Sequence, residues 1–189
     1  IFYHNDNQKK IAEESNVNLA AINYHFESKD NLYWEIIRAT FIKVDQDIAE
    51  LSKKSKDIYE LTELVFDYFI KEKMALKNTM KMLMMDGVSM PPSEIQNTLD
   101  NPMGPPGGSY FAAHIEKSVN FKLNREGILW GIKSIFGSVM HWTVMMASDH
   151  ICANISSDEL MSPEQIKKDV MSMTKASIQF IKNNPDFRG

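Results

Sequence analysis

Apolar residues recur at three- and four-residue steps along nearly the whole chain, the period of helices buried on one face. Tyr33, Ile37, Phe41, Val44, Ile48 and Leu51 form one such stripe, and Ser28 stands where a long helix needs its N-cap. After a polar break at Lys53 to Lys56, Asp57 followed by Glu60 signals a helix start, with Ile58, Leu61, Val65, Tyr68 and Phe69 on one face. The spacing predicts a methionine-rich helix over about Ala75 to Val88, carrying Met80, Met82, Leu83, Met84 and Met85 and stopping before Pro91-Pro92. Ser93 with Gln96 marks a short helix ending at Leu99. Asn101 to Ser109 predicts an irregular surface connection, because its prolines remove donors and its glycines loosen the backbone. A lid over a pocket is the functional reading of that same stretch. Helices resume over Tyr110 to Phe121, and Asn124 caps a long one over about Arg125 to Ile151. In it Ile128, Ile132, Ile135, Val139 and Thr143 mark a stripe, flanked by Leu129, Phe136, Met140 and Val144, so the arc is wide enough for burial on two sides. Gly127, Gly131, Ser134 and Ser138 form a small-residue stripe that permits close helix approach. The last helix opens at Ser162-Pro163-Glu164-Gln165, a cap, a proline at the first helical position and a capping-box glutamine. Ile166, Val170, Met173, Ser177 and Ile181 share its apolar face, and Pro185 ends it. Strand-like alternation is scarce and no internal repeat is present, so the predicted fold class is all-α.

At 189 residues with 43% apolar content, the chain can bury a real core. No run reaches the roughly 18 apolar residues of a membrane span, and no secretory signal opens the chain. Cys152 is the only cysteine, which cannot staple the fold and points to a reducing cytoplasm. A small core residue is the plain reading of that thiol. The net charge of −4 advertises no nucleic-acid partner, so any DNA binding has to come from a local surface. Thirteen methionines fill irregular core space or an adaptable pocket.

The informative stretch is Gln8 to Leu32. Ile11 and Val17 are apolar anchors on either side of a three-residue turn, and Ala12 is small where two helices cross closely. Asn16 sits where the turn needs a left-handed residue, Asn18 can cap the second helix, and Ile22 faces back into the core. This is the arithmetic of a helix-turn-helix. Ile11-Ala12, Ser15-Asn16-Val17 and Ala21-Ile22-Asn23-Tyr24-His25-Phe26, followed by Ser28-Lys29-Asp30-Asn31-Leu32, resemble the DNA-binding signature of the TetR family of repressors.

The specific resemblance covers about 25 residues; beyond it, only helix number and lengths agree. It implies a helix-turn-helix head over residues 1–33 and a ligand-binding, dimerising body over 34–189. Leu19, Ala20 and Asn23 would face the major groove, where asparagine pairs with adenine and apolar side chains touch thymine methyls. Tyr24 and His25 would touch phosphates, and Lys29, beside the next helix N-terminus, would pin another. Two departures stand out. Family members carry a full helix before the motif, whereas this chain opens at Ile1-Phe2-Tyr3-His4. The head's first helix is therefore expected to be truncated here. Residues 1–33 also hold three lysines against five acidic residues, a net −2, so part of the electrostatic drive is expected outside them.

The implied function is a cytoplasmic repressor released from double-stranded operator DNA by a small-molecule effector. It would be a homodimer through its two C-terminal helices, Arg125 to Ile151 and Ser162 to Asn183, whose twofold axis suits a near-palindromic operator. The effector is expected among Tyr68, Met82, Met85, His114 and His141, tilting the helix from Lys29 to Leu51 through a coupling of about 1–3 kcal/mol. The alternative is a helical small-molecule-binding or scaffold protein without DNA binding. No enzyme and no cofactor are expected. His114-Ile115-Glu116 and Asp149-His150 lack an i, i+4 histidine pair or a third metal ligand at recognised spacing. Gly104 to Gly108 is interrupted by prolines and follows no strand, unlike a phosphate loop.

Overall fold

Ser28 has extended backbone, and its hydroxyl oxygen accepts from the Asn31 N–H at 3.1 Å, which starts helix α1 (Lys29–Lys54). The computed structural model describes residues 24, 26–84, 89–93, 95–96, 103–155 and 161–189, with side chains left aside at 153–155. Asp57 caps α2 (Ile58–Lys71) through the Glu60 N–H, while the Glu60 carboxylate accepts from the Lys56 N–H at 2.9 Å. The helix then gives way at Glu72 to α3 (Lys73–Leu83). Beyond the connection come α4 (Gly108–Val119), α5 (Arg125–Met146), the short α6 (Asp149–Ile155), α7 (Pro163–Asn183) and a final 3₁₀ turn, Pro185–Phe187. The described residues are all-helical and contain no strand. Among them no helix is long and apolar enough to cross a membrane.

The core lies where α2 is enclosed by α1, α4, α5 and α7. Ile58, Leu61, Val65 and Phe69 of α2 are wholly buried, as the helical period of the sequence requires. The Phe136 ring of α5 meets Phe69 of α2 at 5.6 Å and Phe111 of α4 at 5.7 Å, both nearly edge-on. The small-residue stripe of α5 serves its expected purpose. A Cβ on Gly131 would stand 3.0 Å from Ile115 of α4 and from Ile181 of α7, so glycine sets that three-helix approach. The chain end closes beneath: the Asn124 N–H donates to the Phe187 carbonyl at 2.9 Å, and Phe187 is buried against Gly127.

Several expectations are corrected. The helix expected over Arg125 to Ile151 is two helices. Ser148 begins α6, its hydroxyl accepting from the Ile151 N–H at 3.5 Å, while the Ala147 carbonyl accepts from the Lys77 ammonium instead of continuing the helical ladder. Met173, expected on the buried face of α7, is half-exposed, and Thr174 takes the core position. The hydroxyl of Thr174 satisfies itself on the Val170 carbonyl at 2.9 Å, so a polar side chain is buried there without an unmet bond. The methionine-rich helix stops at Leu83, with Met84 as its C-cap, and Met85 to Val88 lie outside the described residues. The loop ends earlier than expected, since Gly108 and Ser109 already belong to α4.

That loop is seated on α1. The Gly107 N–H donates to the Asp45 carboxylate at 2.8 Å, and Gly107 holds a φ of +83°. A Cβ there would come within 2.5 Å of Ile48, itself fully buried. Gly107→Ala therefore combines left-handed strain with a collision in the core. It is expected to lower unfolding free energy by about 1–3 kcal/mol, as read from urea denaturation; an unchanged midpoint would show that the loop is not fixed to α1.

Candidate functional site

The stretch that resembles a DNA-recognition motif is described only at its edge. Leu19, Ala20, Asn23 and His25 lie outside the described residues. Tyr24 is 90% exposed. Lys29 begins α1 with its ammonium 5.0 Å from the Tyr33 ring centroid. A clasp ties this end of α1 to the chain beyond α3. The Trp34 indole N–H donates to the Ser89 carbonyl and the Ser89 N–H donates to the Asp30 carboxylate, both at 2.9 Å.

Of the residues expected around an effector, the four that are described stand on four different helices, α2 to α5. Tyr68 sits on the outer side of α2 beside Lys43 of α1, whose ammonium lies 3.4 Å from its hydroxyl and also pairs with Asp47 at 2.8 Å. Burial, then the Asp47 carboxylate beside it, push the Tyr68 phenol up to about 12. His114 is buried between α4 and α1, with Nε2 3.1 Å from the Ser52 hydroxyl. Its Nδ1 is buried without a partner. Met82 is half-buried on α3 and Met85 lies outside the described residues. His141 is exposed and lines the open groove described below.

A small cavity of about 90 Å³ lies inside the body. Thr40, Phe41 and Val44 line it from α1, Phe69 from α2, Leu76, Thr79 and Met80 from α3, and Phe136 and Met140 from α5. Pro105 and Pro106 of the loop are also in its lining. Among the described residues of this wall, the side-chain oxygens are the two threonine hydroxyls. Thr40 donates to the Ile36 carbonyl at 2.9 Å and Thr79 to the Ala75 carbonyl at 3.0 Å. The two oxygens are 3.4 Å apart, too far to outbid those shorter bonds for a proton. The cavity thus offers apolar surface and oxygen lone pairs but no free donor.

Outside it runs an open groove of about 510 Å³ between α3 and α5. Met80 and Met140 line both spaces. The rest of the groove includes Lys77, Lys81, Met84, His141, Val144 and Met145, and among the described residues no acidic side chain lines it. Sequence reasoning missed Thr40, Thr79 and Phe69 as cavity residues. The Pro/Gly loop and the methionine run were the signals that pointed to this region.

Among the described residues no group of three His, Cys, Asp or Glu side chains is placed to hold a metal. Glu116 instead accepts from the Leu123 N–H at 3.0 Å, and Cys152 is half-buried with its thiol on the Met146 carbonyl at 3.2 Å. No protein-family model, curated protein or solved structure matches the chain.

His114 generates a pH prediction. Burial pushes its imidazole below the ordinary value of 6.5, so the folded chain binds that proton less readily than the unfolded chain. The stability carried by neutral His114 is fully present above the unfolded pKa and is lost as pH falls from there toward the lower folded value. The melting temperature of the wild type should fall more between pH 7 and pH 5 than that of His114→Leu. Parallel curves for the two proteins would remove His114 as the source.

Proposed function

We propose that the chain is a DNA-binding transcriptional regulator of the TetR type, released from its operator by a small-molecule effector. One observation carries the reading: the signature from Gln8 to Leu32 ends inside α1, and the same helix supplies Thr40, Phe41 and Val44 to the small apolar cavity. A single rod therefore joins the stretch that resembles a recognition motif to the space where an effector would sit. At 1.5 Å per residue, Lys29 and Val44 are about 22 Å apart along it. In this reading Leu19, Ala20 and Asn23 meet base edges while Tyr24, His25 and Lys29 meet phosphates. The exposure of Tyr24 is compatible with such a contact.

The partner face is proposed on the two long C-terminal helices, now α5 and α7. Phe180 of α7 stacks on Trp130 of α5 at 4.6 Å yet remains 49% exposed, and Met173 is equally exposed further along α7. Pairing of these faces between two copies would cover apolar surface and give the twofold axis that a palindromic site needs. The second reading, a ligand-binding protein without DNA binding, draws on the cavity together with the net −2 of residues 1–33.

Fluorescence anisotropy with duplex from the region beside the chain's own gene separates the two. Sequence-specific binding at nanomolar concentration, weakening steeply with salt, is expected. Asn23→Ala should cost about 1–3 kcal/mol on the specific site, and Lys29→Ala should reduce the salt slope by about one. Absence of sequence-specific binding would leave the second reading. In light scattering, Phe180→Glu is expected to shift a dimer toward monomer; an unchanged mass would place the interface elsewhere.

A further inference from the structure

The small cavity and the larger groove meet at Met80 and Met140, which line both. These two unbranched side chains are the partition between them, and methionine, with three flexible torsions, is the apolar residue that moves aside most readily. We propose that groove and cavity form one binding site for a free aliphatic monocarboxylate, held with its carboxylate in the groove and its hydrocarbon chain passed between Met80 and Met140 into the cavity. The proposal deepens the effector half of the reading above and rests on that half alone.

Three observations fix the orientation. The hydroxyl protons of Thr40 and Thr79 are committed to backbone carbonyls, so the cavity has no donor to give a carboxylate. Burying an unpaired anion there is prohibitive, whereas a hydrocarbon chain asks for nothing. Second, the groove brings Lys77, Lys81 and His141 to one strip, and the described residues that line it include two cations and no carboxylate, a charge that complements an anion. Lys77 spends a hydrogen bond on the Ala147 carbonyl, which leaves exposed Lys81 as the main partner for the head group. Third, size sets the chain. The cavity, at about 90 Å³, is much the smaller of the two spaces and takes only the end of the hydrocarbon chain. The groove holds the rest, which points to a medium-length chain.

The test is calorimetric titration of the whole chain, without DNA, with butyrate, hexanoate, octanoate and decanoate, and with 1-octanol as the uncharged control. Affinity should rise roughly fourfold per methylene until the cavity is full and then level off. Octanoate should bind more tightly than 1-octanol. Lys81→Gln should weaken octanoate at least fivefold and leave 1-octanol unchanged. Thr79→Leu, which fills the cavity, should move the plateau to a shorter chain. Because Lys81 is exposed, its variant keeps the test decisive even if Thr79→Leu fails to fold. A flat chain-length series, equal binding of acid and alcohol, or no octanoate binding at millimolar concentration would overturn the proposal. Failure here with DNA binding intact removes only this ligand class. Loss of DNA binding with the series intact removes only the regulator reading.

Discussion

Phe136 is the point at which the body is pinned. Its ring meets Phe69 and Phe111 edge-on, so α2, α4 and α5 are held at one junction by quadrupole-matched contacts, each worth about 0.5–1.5 kcal/mol beyond the area it buries. The same ring is a wall of the cavity, as is Phe69. The empty space is therefore bounded by some of the most firmly located side chains in the protein on one side, and by a proline pair and two methionines on the others.

Polar accounting around this core is nearly complete. Thr62, Thr143 and Thr174 are wholly buried in α2, α5 and α7, and each donates its hydroxyl proton to the carbonyl four residues earlier. Threonine thus behaves in these helices as a compact apolar residue that brings its own acceptor. Among the described buried side chains, only Nδ1 of His114 is left unpartnered. Lys167 joins the outer side of α7 to α2 through Glu63 and Asp67 at 3.0 and 2.8 Å. That exposed network adds alignment more than energy.

Helix starts and faces were legible because their causes are local. Ser28, Asp57, Asn124 and Ser162 each accept from the backbone N–H three residues on, as their side chains and positions in the sequence imply. The break at Ala147–Ser148 was not legible, since the apolar stripe continues through it and Lys77, seventy residues away, takes the deciding carbonyl. The exchange of Met173 for Thr174 was hidden by a one-residue rotation that hydropathy alone cannot resolve. The candidate site was less legible still. Aromatic, methionine and histidine residues were natural choices for an effector, yet which of them face inward depends on how α1, α3 and α5 cross. Tyr68 and His114 fall on other faces, while Thr40 and Thr79, ordinary in sequence, look into the cavity. For the recognition stretch, the resemblance remains the source of the residue roles, because nearly all of it lies outside the described residues.

The clasp at Ser89 has a mechanical corollary. Because one residue accepts from Trp34 and donates to Asp30, the beginning of α1 is sewn to the backbone that follows α3. Those two helices also share the cavity, through Thr40 on one and Thr79 and Met80 on the other. They are yoked at both places, so a load that wedges α3 outward does not simply slide it past its neighbour. It is borne by a two-helix frame.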